Sequence, residues 1–358
     1  MSLFHDLLEN PDPTLIRAVL TTTDPAVERS LFIRAQEVTR ARFGATLQFF
    51  APLYVSNQCV NNCLYCAFRR ENRAMPRQTL TQEEARTEAH AIVAFGHDAV
   101  LVVASEHPRH AGAAAIADRI RVIRTVPGIR HVDAEIMPLA EADYRRLRDA
   151  GVHAVLVYQE TYDRARYGLA HPDGPKSSFG WRLDAPARAL RGGIPRVGLG
   201  ILVGLGDPAD DVAQLIEHAR TLHDTFGLWP ATVSLPRIQP AAGAPWAVRP
   251  PEPVDDRAFV RLIAMIRLAL PNVGIMLSTR ESPALRDRLL ALRVGVTHLS
   301  AGSRTGVGGY TRSTAPGQFS IQDDRPLQDV MAAVQRLGYH PSCADSPQSC
   351  GATSRGAA

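Results

Sequence analysis

Three of the five cysteines in this 358-residue chain, Cys59, Cys63 and Cys66, fall inside the stretch SNQCVNNCLYC at residues 56–66. Three thiols within eight positions point to metal chemistry, and an odd cysteine count with one tight cluster suits a reducing compartment better than a disulfide framework. The spacing C-x3-C-x2-C can hold three corners of a 4Fe-4S cluster, whereas a full structural complement is four cysteines. Such a cluster would have one iron open. A structural zinc would want a fourth Cys or His at short spacing; APLYVSNQ before the triplet and AFRRENR after it supply neither, although a histidine from a distant strand could complete one.

The elements that must position the triplet are legible from about residue 49 onward. Short apolar runs, FFAPLYVS, AVLVVAS, HVDAEI, HAVLVY, VGLGILVG, ATVSLP, VGIMLS and VTHLS, alternate with amphipathic helical patterns, the signature of βα units on a parallel sheet. Helix punctuation agrees: Thr81 and Glu84 spell a capping box, Gly96 can end that helix, and Ser282 precedes Pro283 as N-cap and first helical residue. Eight such repeats predict a (β/α)8 barrel of the TIM type, with a doubly wound open sheet as the alternative. In a barrel the active site lies in the loops after the strands. The triplet follows the first strand.

The expected division is a helical extension at 1–48, the barrel at 49–322, and a closing helix with a flexible tail at 323–358. Cys343 and Cys350 lie in that tail, YHPSCADSPQSCGATSRGAA, and two thiols cannot supply a second four-ligand cluster site. Composition is that of a globular protein, 45% hydrophobic and 21% charged, with no apolar run of membrane-spanning length. The start, MSLFHDLLENPDP, reads as neither a secretory signal nor a transit peptide, so a cytoplasmic location is expected. The formal charge of +4 comes from arginines scattered over helices, which argues against a nucleic-acid partner. Lys176 is the only lysine; an exposed loop charge is the expected role for it.

The motif C-x3-C-x2-C with Tyr65 before the last cysteine resembles the radical S-adenosylmethionine (SAM) superfamily. The resemblance implies a 4Fe-4S cluster on Cys59, Cys63 and Cys66, with SAM on the open iron as the source of a 5'-deoxyadenosyl radical. The stretch ASEHP places Ala104, Ser105 and Glu106 where the family has a Gly-Gly-Glu element that holds the methionyl amino group. The segment YQETYDRARYGLAHPDGPKSSFGWRL is similar to the subgroup of 2-iminoacetate synthase and the tyrosine lyase that matures iron-only hydrogenase. It implies Glu160 as an acid near SAM and Arg182 as the basic residue on its carboxylate side.

LSTRES and LSAGSRTGVGGY also resemble that subgroup, and imply Arg280 as the anchor of a substrate carboxylate with Ser300 and Ser303 adding hydroxyl contacts. The implied reaction is cleavage of an aromatic amino acid, L-tyrosine first, to p-cresol and 2-iminoacetate, with a reductant such as flavodoxin or ferredoxin. Tryptophan as substrate, or a cluster-binding scaffold without turnover, are the alternatives. Gln239 in SLPRIQP stands where the subgroup has a basic residue. The expected chain stops short of the maturase's C-terminal cluster domain. Oligomeric state is not legible.

Overall fold

The computed structural model describes residues 12–312 and 314–342; Cys343 and Cys350 lie outside them. Two helices come first, Pro13–Thr21 and Pro25–Phe43. Each opens on a proline at its first turn behind an aspartate, Asp12 or Asp24, whose carboxylate accepts a backbone N–H of the first turn. Both residues suit a helix start, where N–H groups lack internal partners.

Eight parallel strands follow: β1 (Thr46–Ser56), β2 (Ala99–Ala104), β3 (His131–Glu135), β4 (Ala154–Leu156), β5 (Arg196–Gly200), β6 (Thr232–Ser234), β7 (Gly274–Leu277) and β8 (His298–Ser300). They pair in chain order, and β1 pairs with both β2 and β8, so the sheet closes. That closure replaces the open-sheet alternative with the (β/α)8 barrel. β1 begins at Thr46, three residues before the apolar run suggests. Its first residues, Thr46–Gln48, also pair with a further parallel strand, β9 (His340–Ser342), which a Pro/Ser-rich segment gave no reason to expect.

The helix Gln82–Ala94 has the expected capping box, with Thr81 and Glu84 exchanging hydrogen bonds. Ser282 caps Pro283–Leu292 as expected. Helix Asp256–Ala269 is buried on every side from Phe259 to Ala269 because the two N-terminal helices pack over it. It therefore carries two buried arginines. Arg261 reaches Glu28 and the carbonyls of Leu20 and Thr22, while Arg267 donates to the carbonyls of Leu270, Pro271, Val273 and Gly295. Burial lowers the Arg267 pKa to about 9, so the carbonyl cage is what keeps a cation there. Among the described residues no helix is long and apolar enough to cross a membrane.

Candidate active site

A cavity opens at the C-terminal ends of the strands, and Cys59, Cys63 and Cys66 line it together with residues that follow β2, β3, β4, β7 and β8. The loop that carries the thiols is tied down by Arg77, whose guanidinium donates to the carbonyls of Asn57, Phe68, Arg69 and Asn72. Asn61 ties it on the other side. Its Nδ2 donates to Glu106 at 2.9 Å and its Oδ1 accepts the Lys176 amide at 2.9 Å. That close approach needs a glycine at 174, where φ is +94° and a Cβ would lie 2.4 Å from Asn61 Oδ1.

Tyr65 lines the same cavity and its hydroxyl meets His171 Nε2 at 2.8 Å. Burial, then Lys176 and Arg182, hold the His171 pKa well below its ordinary value, so the ring is neutral. Its Nδ1 lies 2.8 Å from the Tyr167 carbonyl and must be the N–H. Nε2 is then the acceptor, and the Tyr65 hydroxyl donates.

Two buried ion pairs stand beside the thiols. Arg182 pairs with Glu106, and its Nη1 also donates to the Tyr158 carbonyl at 3.1 Å. Lys176 pairs with Glu160 at 2.6 Å. Lys176 is thus no exposed loop charge: its side chain is 12% accessible and lines the cavity. Glu160 and Arg182 thus pair with these partners and not with each other. Burial and Arg182 oppose the lysine's charge, but Glu160, Cys63 and Glu106 together outweigh them and raise its pKa; burial likewise opposes the Glu160 carboxylate, and Lys176 and Arg182 lower its pKa despite it.

Glu160 adopts φ +72°, a left-handed conformation that costs a non-glycine residue of order 1 kcal/mol or more. Neighbouring bonds hold it there. The Leu202 amide donates to its carbonyl, and Asp211, buried beneath, accepts from the Thr161 hydroxyl and the Tyr162 amide at 2.8 and 2.7 Å. The glycines of β5 do not line the cavity; a Cβ at Gly200 would meet Tyr158 Cδ1 at 2.6 Å, so packing explains that glycine.

On the far wall Arg280 lays its guanidinium over the Phe319 ring, 3.4 Å from the centroid. Among the described residues it has no carboxylate within ion-pair distance; its neighbour Glu281 pairs instead with Arg237. Ser300 and Ser303 both line the cavity, but differently. The Ser300 hydroxyl accepts the Thr279 amide, while the Ser303 hydroxyl is buried with no partner among the described residues. Gln318 spans Tyr54 and Cys66, accepting from the tyrosine hydroxyl at 2.9 Å. Ala104, Ser105 and Glu106 line the rim above β2. His107 instead accepts backbone amides of its own turn, from Arg109 and His110.

The sequence reading missed Asn61, His171, Gln318, Tyr158 and Glu135. Four of these have no local signal, since each is explained only by a partner far along the chain. Glu135 did have one: in HVDAEI the polar residues alternate with apolar ones, whereas a barrel strand is expected to be apolar on both faces.

The donor set fits an iron-sulfur cluster. Three free thiols share one rim, and among the described residues no group of three or more His, Cys, Asp or Glu is gathered to hold a single ion. Burial pushes the Cys59 thiol up to about 11 and raises Cys63 as well, so thiolates would form there on binding a cation and releasing protons. The adjoining acid–base pairs offer both signs of charge to a zwitterion, and Arg182 Nε is a buried donor without a partner among the described residues. A closed barrel with such a rim at its catalytic end defines a cofactor-dependent barrel enzyme.

Residues 53–219 match the radical SAM superfamily, and residues 234–340 match the biotin and thiamin synthesis associated domain. The chain is 38% identical to 2-iminoacetate synthase of Escherichia coli K12 over 330 residues, 90% of this chain and 84% of that protein. It superposes with a TM-score of 0.89 on the FeFe-hydrogenase maturase HydG from Carboxydothermus hydrogenoformans, at 36% identity over 96% of this chain and 79% of that one. A second HydG crystal structure gives a TM-score of 0.90 at 35% identity, over 96% of this chain and 76% of that one. The chain belongs to the radical SAM superfamily, in the subgroup of 2-iminoacetate synthase and HydG. Its cofactors are accordingly a 4Fe-4S cluster and SAM.

Proposed function

We propose that this enzyme is a radical SAM lyase that cuts the side chain from an aromatic amino acid, L-tyrosine, to give p-cresol and 2-iminoacetate. The observation that carries the reading is Arg280, a cation in the same cavity as the three thiols with no acid paired to it among the described residues. A planar guanidinium lacking a carboxylate partner suits a bidentate carboxylate ligand. The 38% identity to 2-iminoacetate synthase supports the same reading.

In this proposal Cys59, Cys63 and Cys66 hold three irons, and the pairs Glu106–Arg182 and Glu160–Lys176 receive the amino and carboxylate groups of SAM, with Tyr65, Ala104 and Ser105 walling its site. The bound cofactors supply a carbon radical that removes a hydrogen atom. The chain's own task is placement. Arg280 fixes the substrate carboxylate, Phe319 fixes the guanidinium, and the free hydroxyl of Ser303 donates to the same anion. Ser300 acts on the substrate through the Thr279 amide that it holds. A reductant such as flavodoxin or ferredoxin completes the proposal, with the cytoplasm as its place. The barrel, the preceding helices and the segment ending in β9 act as one unit around this cavity.

The test is anaerobic reconstitution with iron and sulfide, then reduction in the presence of SAM and L-tyrosine. Formation of 5'-deoxyadenosine together with p-cresol is expected. Deoxyadenosine without p-cresol would overturn the tyrosine assignment and direct the search to tryptophan. No deoxyadenosine from a cluster-loaded protein would mean a scaffold.

A further inference from the structure

Strand β3 breaks the rule that barrel interiors are filled with branched apolar side chains. Val132 and Ala134 are buried on its outer face, while His131, Asp133 and Glu135 line cavities inside the barrel. His131 and Asp133 lie toward its base and bond to each other at 2.9 Å. Glu135, at the mouth, lines the cavity that holds Arg280 and the thiols. Among the described residues it has no hydrogen-bond donor at all, whereas Glu106 and Glu160 beside it are both paired. Glu135 is half-buried, and a partly desolvated carboxylate that the protein gives no donor is the kind of group a ligand completes.

Its place in the barrel says which part of the ligand. The closed order of eight strands puts β3 four strands from β7 in either direction, so Glu135 and the Arg280 that follows β7 stand on opposite walls. An α-amino acid carries a carboxylate and an ammonium on one carbon. A cation on one wall and an acid on the other match that pair of charges. We infer that Glu135 receives the α-ammonium group of the substrate and takes a proton from it, leaving the neutral amine at the radical's side of the cavity. This rests on the amino-acid lyase reading above.

The step balances as a proton transfer: one N–H bond of the ammonium breaks heterolytically, nitrogen keeps the electron pair, and the proton forms an O–H bond on Glu135. It serves the chemistry because loss of a hydrogen atom from an ammonium would leave a radical cation, whereas loss from an amine leaves a neutral aminyl radical. Its unpaired electron and one electron of the breaking Cα–Cβ bond form the C=N bond, and the other electron leaves with the side chain as a benzylic radical. The charged and titratable groups that share the cavity with Glu135 and act on it are Glu160 and Tyr158 after β4, Lys176 and Arg182 in the segment beyond, Tyr54 on β1 and Arg280 after β7. Burial, then Glu160, raises the Glu135 pKa to about 7 against the pull of Arg280, Lys176 and Arg182. Its proton affinity is closer to an amine's than an ordinary carboxylate's would be.

The experiment is equilibrium binding to the cluster- and SAM-loaded protein, unreduced so that no turnover occurs, from pH 6 to pH 9. The ligands are L-tyrosine, L-phenylalanine and 3-(4-hydroxyphenyl)propionate, which lacks the amine. Glu135→Gln keeps the shape of the side chain, and its cluster absorbance reports that it folds. Wild type should lose affinity for both amino acids as pH falls through about 7, where the acid takes up a proton. The variant should bind both roughly 10²-fold more weakly at pH 8, without that pH dependence, and bind the deaminated acid as wild type does. Glu135→Asp should recover part of the loss.

A loss confined to the two phenols, with L-phenylalanine unaffected, would place Glu135 at the ring and overturn the proposal. Unchanged binding of all three would do so too. If wild type bound L-phenylalanine but not L-tyrosine, the tyrosine assignment would fall, and the Glu135 comparison would be read on L-phenylalanine alone. If no α-amino acid bound, both would fall.

Discussion

Arg280 has the strongest consequence of any one side chain. Its charge is half-buried, and burial lowers its pKa, yet no acid lies within ion-pair distance of it among the described residues; the Phe319 face compensates only in part. Arg280→Ala is therefore expected to leave the cluster's absorbance intact and to reduce kcat/KM by roughly 10²-fold or more, measured by product formation at subsaturating amino acid. Arg280→Lys should recover little of this, because an ammonium replaces a flat two-pronged donor with a point charge. Cys63→Ala sits at the other end of the same scale, and should abolish the cluster's absorbance. These residue types were legible: the triplet, Glu106, Glu160, Arg182 and Arg280 stand in local motifs. Their pairings were not. Nothing in the stretch 174–183 says that Lys176 reaches Glu160 while Arg182 reaches Glu106, since that choice depends on how the segment folds back over β4.

At the scale of elements, the turn after β4 is held by Asp211 from the helix Pro208–Phe226. Burial raises the Asp211 pKa to about 7, although the Tyr162 amide and Thr161 hydroxyl favour its ionised form. An acid whose pKa is higher folded than unfolded binds more protons in the native state. Stability is then greatest below the unfolded value near 4 and declines as pH rises to about 7. Asp211→Asn keeps an oxygen for both donors and should flatten that decline, read from urea midpoints between pH 4.5 and pH 8.

The loop that carries Gln318 and Phe319 is anchored in another way. Asp323 is fully buried between Arg286, at 2.6 Å, and Arg325, and Arg286 also holds the Ser300 carbonyl. Asp323→Ala would strand Arg286, which is 1% exposed, and should cost about 3–5 kcal/mol in equilibrium unfolding. The stretch QFSIQDDRPL at residues 318–327 thus supplies an anchor plus two cavity residues.

At the scale of the molecule, the described residues contain one three-cysteine rim, and the reconstituted 358-residue chain is expected to bind about four irons. Iron analysis approaching about eight per chain would show that Cys343 and Cys350 take part in a second cluster. The sequence by itself determined the barrel, because alternating apolar runs and capped helices are local patterns with fixed periods. It also determined the cluster loop, because thiol spacing within eight residues is a local property. Only the tertiary structure decided what the cavity recognises. Closure of the sheet carries Glu135 and Arg280, 145 positions apart in the chain, to facing walls of one cavity, and leaves both half-buried, where a charge without a partner is costly. Period and spacing are silent about such a meeting, because it depends on strand order and on which face of β3 turns inward.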